Sequence, residues 1–120
     1  MPTTGHLHAP RRLLPSDDRS TFRSGVPDLD DWFRRFALQN QRANNAVTYV
    51  TLLDEQIVGY YALCAAAVSR EDAPAGFAKG RPTTIPCVLL ARLAGDSRAQ
   101  GRGLGAALFR DAIARAVRAS

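Results

Sequence analysis

A glycine-rich segment near the end of the sequence has the residue types and spacing of a phosphate-binding turn. It runs from Gly95 to Gly105, between an apolar stretch and a region with helical periodicity. Glycines at the start of a helix let the backbone approach a ligand closely, and the unpaired first amides and the helix dipole attract an anion. Arg98 and Arg102 would place positive charge beside it. The segment predicts a phosphate site, with an ordinary glycine-rich turn as the alternative.

The spacing within this segment distinguishes three kinds of phosphate ligand. A nucleotide-triphosphate loop requires Gly-Lys-Ser/Thr, and the sequence contains no such triplet. A dinucleotide fingerprint requires a third glycine three residues after Gly105, where the sequence has Leu108. A ligand whose pyrophosphate is internal and needs no metal remains, and coenzyme A is such a ligand.

Two amphipathic helices are predicted around this site. The helix after the glycine-rich segment has apolar residues three and four positions apart, namely Gly105, Leu108, Phe109, Ala112, Ile113, Ala116 and Val117. Its opposite face carries Arg102, Arg110, Asp111, Arg115 and Arg118. The earlier helix starts at Pro27 and turns inward Leu29, Trp32, Phe33, Phe36 and Ala37. Its solvated face includes Asp30, Asp31, Arg34 and Arg35.

Apolar and β-prone stretches predict the strands on which these helices pack. Residues 46–53 and 57–68 are expected to form a hairpin. Residues 86–94 form a further strand that is apolar enough to be buried on both faces. The remaining predictions are a flexible lead-in at 1–10, a short strand at 11–14, a short helix at 18–22 and a loop at 69–85.

Length and composition indicate one folded domain with a basic surface. The chain has 120 residues, of which 46% are hydrophobic, so it can form a core. Its 16 basic and 11 acidic residues give a net charge of +5, which favours a polyanionic partner. Cys64 and Cys87 are far apart and are expected to be reduced thiols. No stretch approaches the roughly 18 apolar residues of a membrane span, so we expect a cytoplasmic protein without a membrane partner.

The motif Gln100-x-x-Gly103-x-Gly105 resembles the Q/R-x-x-G-x-G/A pyrophosphate loop of the GNAT acyltransferase superfamily. It lies after a predicted strand and before a predicted helix, as it does in that superfamily. Over residues 11–120 the sequence also resembles the acetyltransferase toxins of bacterial type II toxin–antitoxin systems. The blocks that carry this resemblance are Phe22-Arg23-Ser24-Gly25, Leu29-Asp30-Asp31-Trp32, Asn40-Gln41, Val58-Gly59-Tyr60-Tyr61-Ala62-Leu63, Ile85-Pro86 and Leu90-Ala91-Arg92-Leu93-Ala94.

The resemblance implies an α/β GNAT fold, in which helices flank a mixed central sheet. The domain would occupy residues 11–120 and would be truncated after the acetyl-CoA-binding helix. The implied activity is transfer of acetyl from acetyl-CoA to the α-amino group of an aminoacyl-tRNA, which blocks translation. A cognate DNA-binding antitoxin and a homodimer are the implied assemblies. Two alternatives stay open: a small-amine N-acetyltransferase, and a catalytically inactive remnant that only binds.

The resemblance also implies the site residues. The backbone of Leu93, Ala94 and Gly95 would hold the acetyl and pantetheine end of acetyl-CoA. The pyrophosphate would lie, with Arg98 beside it, on Gln100, Gly101, Arg102, Gly103, Leu104 and Gly105. The residues that would face tRNA, with a solvated polar surface as the alternative, are Arg34, Arg35, Gln41 and Arg92. No metal is expected.

Two features depart from the family pattern. Gly95 stands where the family has valine, which keeps the backbone amide but loosens the strand. The tyrosine that would protonate the departing CoA thiolate is expected beyond Ser120, and Tyr49, Tyr60 and Tyr61 do not match it. The catalytic residue is therefore unassigned, and the last predicted strand is expected to be left as a bare apolar edge.

Overall fold

An antiparallel sheet forms the centre of the computed structural model, which describes residues 6–69 and 84–119. Its strands are β1 (Arg11–Arg12), β2 (Val47–Leu53), β3 (Gln56–Ser69) and β4 (Thr84–Gly95), in the order β1-β2-β3-β4. The helices are α1 (Pro27–Arg35), α2 (Ala37–Arg42) and α3 (Leu104–Ala119), with a 3-10 turn at Ser97–Ala99 before α3. Every described strand pair is antiparallel, so the described part of the chain does not contain the mixed sheet that the resemblance implies.

The hairpin predicted over residues 46–68 is confirmed as β2 and β3. The two residues that connect the strands are Asp54 and Glu55. Asp54 has a φ of 54°, a left-handed conformation that aspartate tolerates in tight turns. β3 continues into a long pairing with β4 that starts with Gly59 opposite Gly95. Most of the loop predicted after β3 lies outside the described residues.

The helix predicted from Pro27 onward is divided in two. Phe36, with a φ of −121° and a ψ of −17°, lies between α1 and α2 and interrupts the helical conformation. The break turns α2 so that Ala37 and Leu38 pack on the core. Phe36, which the periodicity places in the core, is instead 41% exposed.

The short helix predicted at 18–22 does not form. Asp17 makes an ion pair with Arg11, and the Asp18 carboxylate accepts hydrogen bonds from the amide and the hydroxyl of Ser20. Such side-chain bonds satisfy local donors in a turn and compete with a helix.

Residues 6–10, the part of the predicted lead-in that the structure describes, lie along the edge of β2. The amide of His8 donates to the carbonyl of Leu52, and the amide of Asp54 donates to the carbonyl of His6. These bonds extend the antiparallel pairing beyond β1 at one end of the sheet.

Two apolar clusters lie on opposite faces of the sheet. Tyr60 and Tyr61 are adjacent in β3, fully buried, and belong to different clusters. On the Tyr60 side, Phe33 of α1 stacks on the Tyr60 ring with centroids 4.4 Å apart. On the Tyr61 side, α3 inserts Leu104 and Leu108. The sheet therefore separates α1 and α2 from α3.

The last helix is confirmed, but its buried face is rotated relative to its apolar stripe. Leu108 and Ala112 are buried, whereas Phe109 and Ile113 are 49% and 48% exposed. The exposed side of the stripe points past β4, which is the last strand of the described sheet. Leu89 on β4 is likewise 50% exposed. The prediction that this strand is buried on both faces is wrong, because Val88, on the α3 side, is 41% exposed and the adjacent Leu89 points to the other face.

Two residues predicted on the solvated face of α3 turn toward the sheet instead. The Tyr61 hydroxyl donates to Asp111, which also forms an ion pair with Arg115 at 2.9 Å. The Arg115 guanidinium lies over the ring of Tyr49, 4.2 Å from its centroid. This polar cluster covers the Tyr61 face where the apolar side chains of α3 do not reach.

The paired glycines Gly59 and Gly95 provide a matched test of the packing of α3 on the sheet. A Cβ at Gly59 would lie 2.9 Å from Cδ1 of the buried Leu108, whereas a Cβ at Gly95 would meet its nearest atom at 3.5 Å. Gly59→Ala should therefore lower the free energy of unfolding by about 1–3 kcal/mol through overpacking. Gly95→Ala should raise it by about 0.5–1 kcal/mol, because alanine loses less backbone entropy. Urea denaturation measures both, and equal effects would contradict the packing described.

Candidate functional site

The glycine-rich segment forms an open turn between β4 and α3. Gly101 and Gly103 have φ values of 86° and 74°, which non-glycine residues rarely adopt. A Cβ added at Gly101, Gly103 or Gly105 would meet no atom within 4 Å. Two of these glycines are thus required by the backbone conformation, and all three border open space.

The backbone amides of this turn are unpaired. Within the described residues, no amide from residue 101 to residue 106 donates a hydrogen bond; the next one, at Ala107, donates to the carbonyl of Gly103. Unpaired amides at a helix start, together with the helix dipole, form a site for an anion. The turn and the first residues of α3, 101–106, are called the cradle below.

A buried carboxylate fixes the turn before the cradle. Asp96 is 1% exposed, and its side chain accepts hydrogen bonds from the amides of Arg23 and Arg98, both at 2.9 Å. The Arg98 guanidinium adds an ion pair at 2.8 Å. Burial raises the pKa of Asp96, but these hydrogen bonds outweigh it, so the pKa lies below its ordinary value. Asp96 is therefore held as a carboxylate.

Asp96 should contribute to the pH dependence of stability. Because its folded-state pKa is lowered, its stabilising effect is present above the ordinary aspartate pKa and is lost as the pH falls through the folded-state value. We expect the free energy of unfolding to fall less steeply in Asp96→Asn than in the wild type between about pH 5 and about pH 2. Urea denaturation at several pH values measures the two slopes, and identical slopes would contradict the role given to this carboxylate.

The two arginines predicted beside the phosphate differ in their surroundings. Arg98 is bound to Asp96 and, through Nη1, to the side-chain oxygen of Gln56 at 2.8 Å. Its charge is therefore neutralised within the chain. Arg102 is exposed and makes no hydrogen bond or ion pair with a described residue. Arg102 is thus the cation available to a ligand in the cradle.

The side chain of Gln100 is used within the protein. Its Nε2 donates to the carbonyls of Ser24 and Gly95, at 2.9 and 3.0 Å. Gln100 therefore ties the turn to residues 22–25 and to the end of β4.

The end of β4 adjoins the cradle and has an irregular pairing. Arg92 lies opposite Ala62 and Leu90 opposite Leu63, so Ala91 is an extra residue on β4, a β-bulge. Leu93 is half-buried on the α3 side, and Ala94 is buried on the α1 side. Because β4 has no described neighbour on its outer side, alternate backbone groups there are free to bind a ligand.

The four residues predicted to face tRNA are not brought together. Gln41 is fully used: its Nε2 donates to the carbonyl of Leu13 at 2.8 Å, and its Oε1 accepts from the amide of Thr48 at 3.0 Å. Arg34 donates to the carbonyl of Phe22. Both side chains therefore stabilise the packing of α1 and α2 on the sheet face that carries Tyr60.

Arg35 and Arg92, the other two residues predicted to face tRNA, remain accessible. Arg35 is 66% exposed and lies 3.4 Å from Asp31. The Arg92 guanidinium lies 4.7 Å from the centroid of the Trp32 ring and makes no hydrogen bond or ion pair with a described residue. Arg92 is therefore held in place by the indole while its donors stay free.

Two buried acids were not predicted from the sequence. The helical pattern places Asp30 on the solvated face of α1, yet it is 5% exposed and accepts hydrogen bonds from the amide and hydroxyl of Ser24. Asp96 was not singled out, although an acid directly after a strand and before a glycine-rich turn is a known capping signal. Its partner Arg23 is 73 residues away, so no local pattern contains the pair.

Further findings concern metals, thiols and membranes. The described residues contain no group of His, Cys, Asp and Glu side chains able to hold a metal ion. Cys64 and Cys87 are free thiols of intermediate burial. None of the described helices is long and apolar enough to cross a membrane.

A comparison with models of known protein families agrees with this geometry of an open cradle beside a bulged strand edge. The model of the acetyltransferase (GNAT) family matches residues 11–120. The chain belongs to the GNAT acetyltransferase family. This confirms the GNAT fold and the acetyltransferase class expected from the pyrophosphate motif.

Relatives of this GNAT chain include characterised toxins. It is 46% identical, over 93% of its length, to a tRNA-acetylating toxin of Mycobacterium tuberculosis (strain ATCC 25618 / H37Rv). It is 29% identical, with a TM-score of 0.82 over 96% of its length, to AtaT complexed with acetyl-methionyl-tRNAfMet. A mutant of the AtaT toxin, bound to acetyl-CoA and to the C-terminus of the antitoxin AtaR, matches with 27% identity and a TM-score of 0.75 over 95% of the chain. The chain spans 68%, 71% and 68% of these three proteins.

Proposed function

We propose that this GNAT domain binds acetyl-CoA along the outer edge of β4, with the pyrophosphate in the cradle. The observation that carries this proposal is the run of unpaired amides over residues 101–106, next to glycines whose Cβ positions are empty. Arg102 would neutralise phosphate charge, and Leu104 and Gly105 would present the first amides of α3. Gln100 would act by holding the turn in place rather than by direct contact, because its amide group is already bound.

The free edge of β4 at Leu93, Ala94 and Gly95 would hold the acyl end of the donor. Acetyl-CoA supplies an acetyl group on a thioester. A strand amide that donates to the thioester carbonyl would polarise it, and the reaction would form an N–C bond and break the C–S bond. The amine would lose a proton, and the departing thiolate would gain one.

Tyr60 and Tyr61 are poorly suited to supply that proton. The Tyr60 hydroxyl donates to the carbonyl of Leu29 at 2.8 Å, and the Tyr61 hydroxyl donates to Asp111. Burial raises the pKa of Tyr60, and burial together with the Asp111 hydrogen bond raises that of Tyr61. Both protons are thus held within the core clusters, and no described residue is assigned as the catalytic acid.

We infer that the acceptor is the α-amino group of an aminoacyl-tRNA. The support is the 46% identical relative, which is a tRNA-acetylating toxin, together with a net charge of +5 that suits a polyanion. Arg92 and Arg35 have exposed or uncommitted guanidinium groups on the α1 side of the sheet and are the candidates for phosphate contacts. Arg34 and Gln41 would act indirectly, because their hydrogen bonds to neighbouring backbone groups hold α1 and α2 in place.

The toxin relatives also suggest the protein's assembly and location. We propose that an antitoxin neutralises it, as its relative AtaT is bound by the antitoxin AtaR. A DNA-binding antitoxin and a homodimer are the assemblies we expect. The site of action would be the cytoplasm, where charged tRNA is found.

Calorimetric titration with acetyl-CoA tests the donor site. We expect the wild type to bind, and Arg102→Ala to bind about three- to tenfold more weakly with a smaller salt dependence, because one charge-assisted contact to phosphate is lost. Arg12→Ala removes an exposed arginine at the other end of the sheet and serves as the control, with unchanged affinity expected. Absence of binding by the wild type would contradict the proposed donor site.

A further inference from the structure

Residues 22–24 form a strap between α1 and the turn that precedes the cradle, residues 96–100. On the side of this turn, the strap makes three hydrogen bonds. The amide of Arg23 donates to Asp96 at 2.9 Å, and the amide of Ser97 donates to the carbonyl of Arg23 at 2.8 Å. The side chain of Gln100 donates to the carbonyl of Ser24 at 2.9 Å. The strap is therefore bonded to the turn that leads into the cradle.

The same three residues are bonded to α1. Arg34 donates to the carbonyl of Phe22. The amide and the hydroxyl of Ser24 donate to Oδ1 of Asp30, at 2.9 and 2.6 Å. The five polar backbone groups from the Phe22 carbonyl to the Ser24 carbonyl thus bond either to α1 or to the turn before the cradle. Within the described residues, α1 and that turn have no hydrogen bond with each other.

The strap depends on two buried carboxylates, one on each side. Asp96 is 1% exposed and belongs to the turn before the cradle, and Asp30 is 5% exposed and belongs to the first turn of α1. Hydrogen bonds to buried carboxylates are strong and directional. The strap residues lie in neither helix nor strand, so these bonds determine their conformation.

We propose that Ser24 and Asp30 are positioning residues for acetyl-CoA, acting through the strap on the turn that presents the cradle. This inference rests on the proposed function, since it takes acetyl-CoA as the ligand of the cradle. A ligand that orders the turn would also order the strap and the first turn of α1. By linkage, if acetyl-CoA strengthens the bonds at the α1 end of the strap, those bonds strengthen acetyl-CoA binding by the same factor, and breaking them weakens it.

Two matched pairs of variants test the strap in calorimetric titrations with acetyl-CoA. Ser24→Ala removes a 2.6 Å hydroxyl–carboxylate bond inside the strap, and Ser20→Ala removes a bond of the same length, to Asp18, outside it. Asp30→Ala removes the acceptor, and Asp31→Ala removes the neighbouring exposed acid. We expect acetyl-CoA affinity about fivefold lower in Ser24→Ala and at least tenfold lower in Asp30→Ala, and unchanged in both controls.

Hydrogen exchange separates positioning from a general loss of stability. In the wild type, acetyl-CoA should slow amide exchange in the cradle and also at the Arg23 and Ser24 amides and in the first turn of α1. In Ser24→Ala the protection of α1 should be lost while the cradle is still protected, and Ser24→Thr, which keeps the hydroxyl, should restore it. Ser24→Ala removes only a hydroxyl, which donates to Asp30 and accepts from the amide of Val26 at 3.1 Å, and it keeps the Asp30 carboxylate; it therefore supports the test even if Asp30→Ala does not fold.

The outcomes distinguish this inference from the proposed function. If the wild type binds acetyl-CoA and Ser24→Ala binds it equally well, with α1 still protected, the positioning role is wrong and the donor site stands. If the wild type binds no acetyl-CoA, the proposed donor site is wrong and the positioning role falls with it.

Discussion

Gly105→Leu is expected to stabilise the fold while it removes acetyl-CoA binding. Gly105 lies in the first turn of α3, and a Cβ there would meet no atom within 4 Å. Leucine favours a helix over glycine, so the free energy of unfolding should rise by about 0.5–1 kcal/mol. The same side chain would fill the cradle, and acetyl-CoA affinity should fall at least about 30-fold, which corresponds to roughly 2 kcal/mol.

Gly105→Ala is the matched control for this variant. The Q/R-x-x-G-x-G/A motif accepts alanine at that position, so the control should gain stability and keep most of its affinity. Urea denaturation and calorimetric titration give the two quantities for each variant. A Gly105→Leu chain that binds acetyl-CoA as tightly as the wild type would show that the cradle is not the binding site.

The 120-residue chain is expected not to persist as a monomer at micromolar concentration. An apolar groove of about 140 Å³ lies open between β4 and α3. Val88, Phe109 and Ile113, which line it, are each 41–49% exposed. Burying one such side chain contributes about 1.5–3 kcal/mol, so several of them together favour association.

Lysine substitutions test this association directly by sedimentation. Val88→Lys and Ile113→Lys should shift the chain toward the monomer, because both residues line the groove and a lysine there places a charge on the open apolar face. Leu14→Lys is the control, since Leu14 is 47% exposed but lies away from β4 and α3. A wild-type chain that sediments as a stable, cooperatively folding monomer would contradict the expectation.

The elements that local sequence determines were predicted well. The β2–β3 hairpin follows from β-prone runs separated by a two-residue polar turn, and α3 follows from its three- and four-residue apolar spacing. The pyrophosphate motif could be located because glycine spacing and a strand–turn–helix context are properties of one short segment. The described structure places this segment between β4 and α3, as expected.

The features that were missed depend on contacts between distant parts of the chain. Periodicity identifies an apolar stripe on α3, but the approach of the helix at Gly59 decides which side of the stripe is buried. Asp30 and Asp96 look like surface acids in the sequence, and their burial depends on the strap. Gln41 and Arg34 look like accessible polar residues, yet they bind backbone carbonyls of residues 13 and 22. Such long-range pairings leave no local pattern.

Transfer of a labelled acetyl group from acetyl-CoA tests both the activity and the acceptor in one assay. The chain is incubated with the labelled donor and, in parallel, with aminoacyl-tRNA, deacylated tRNA, polyamines and aminoglycosides. We expect label on aminoacyl-tRNA alone, recovered as an N-acetyl amino acid after the ester bond is hydrolysed. Label on a polyamine or an aminoglycoside in preference to aminoacyl-tRNA, or no label on any acceptor, would contradict this expectation.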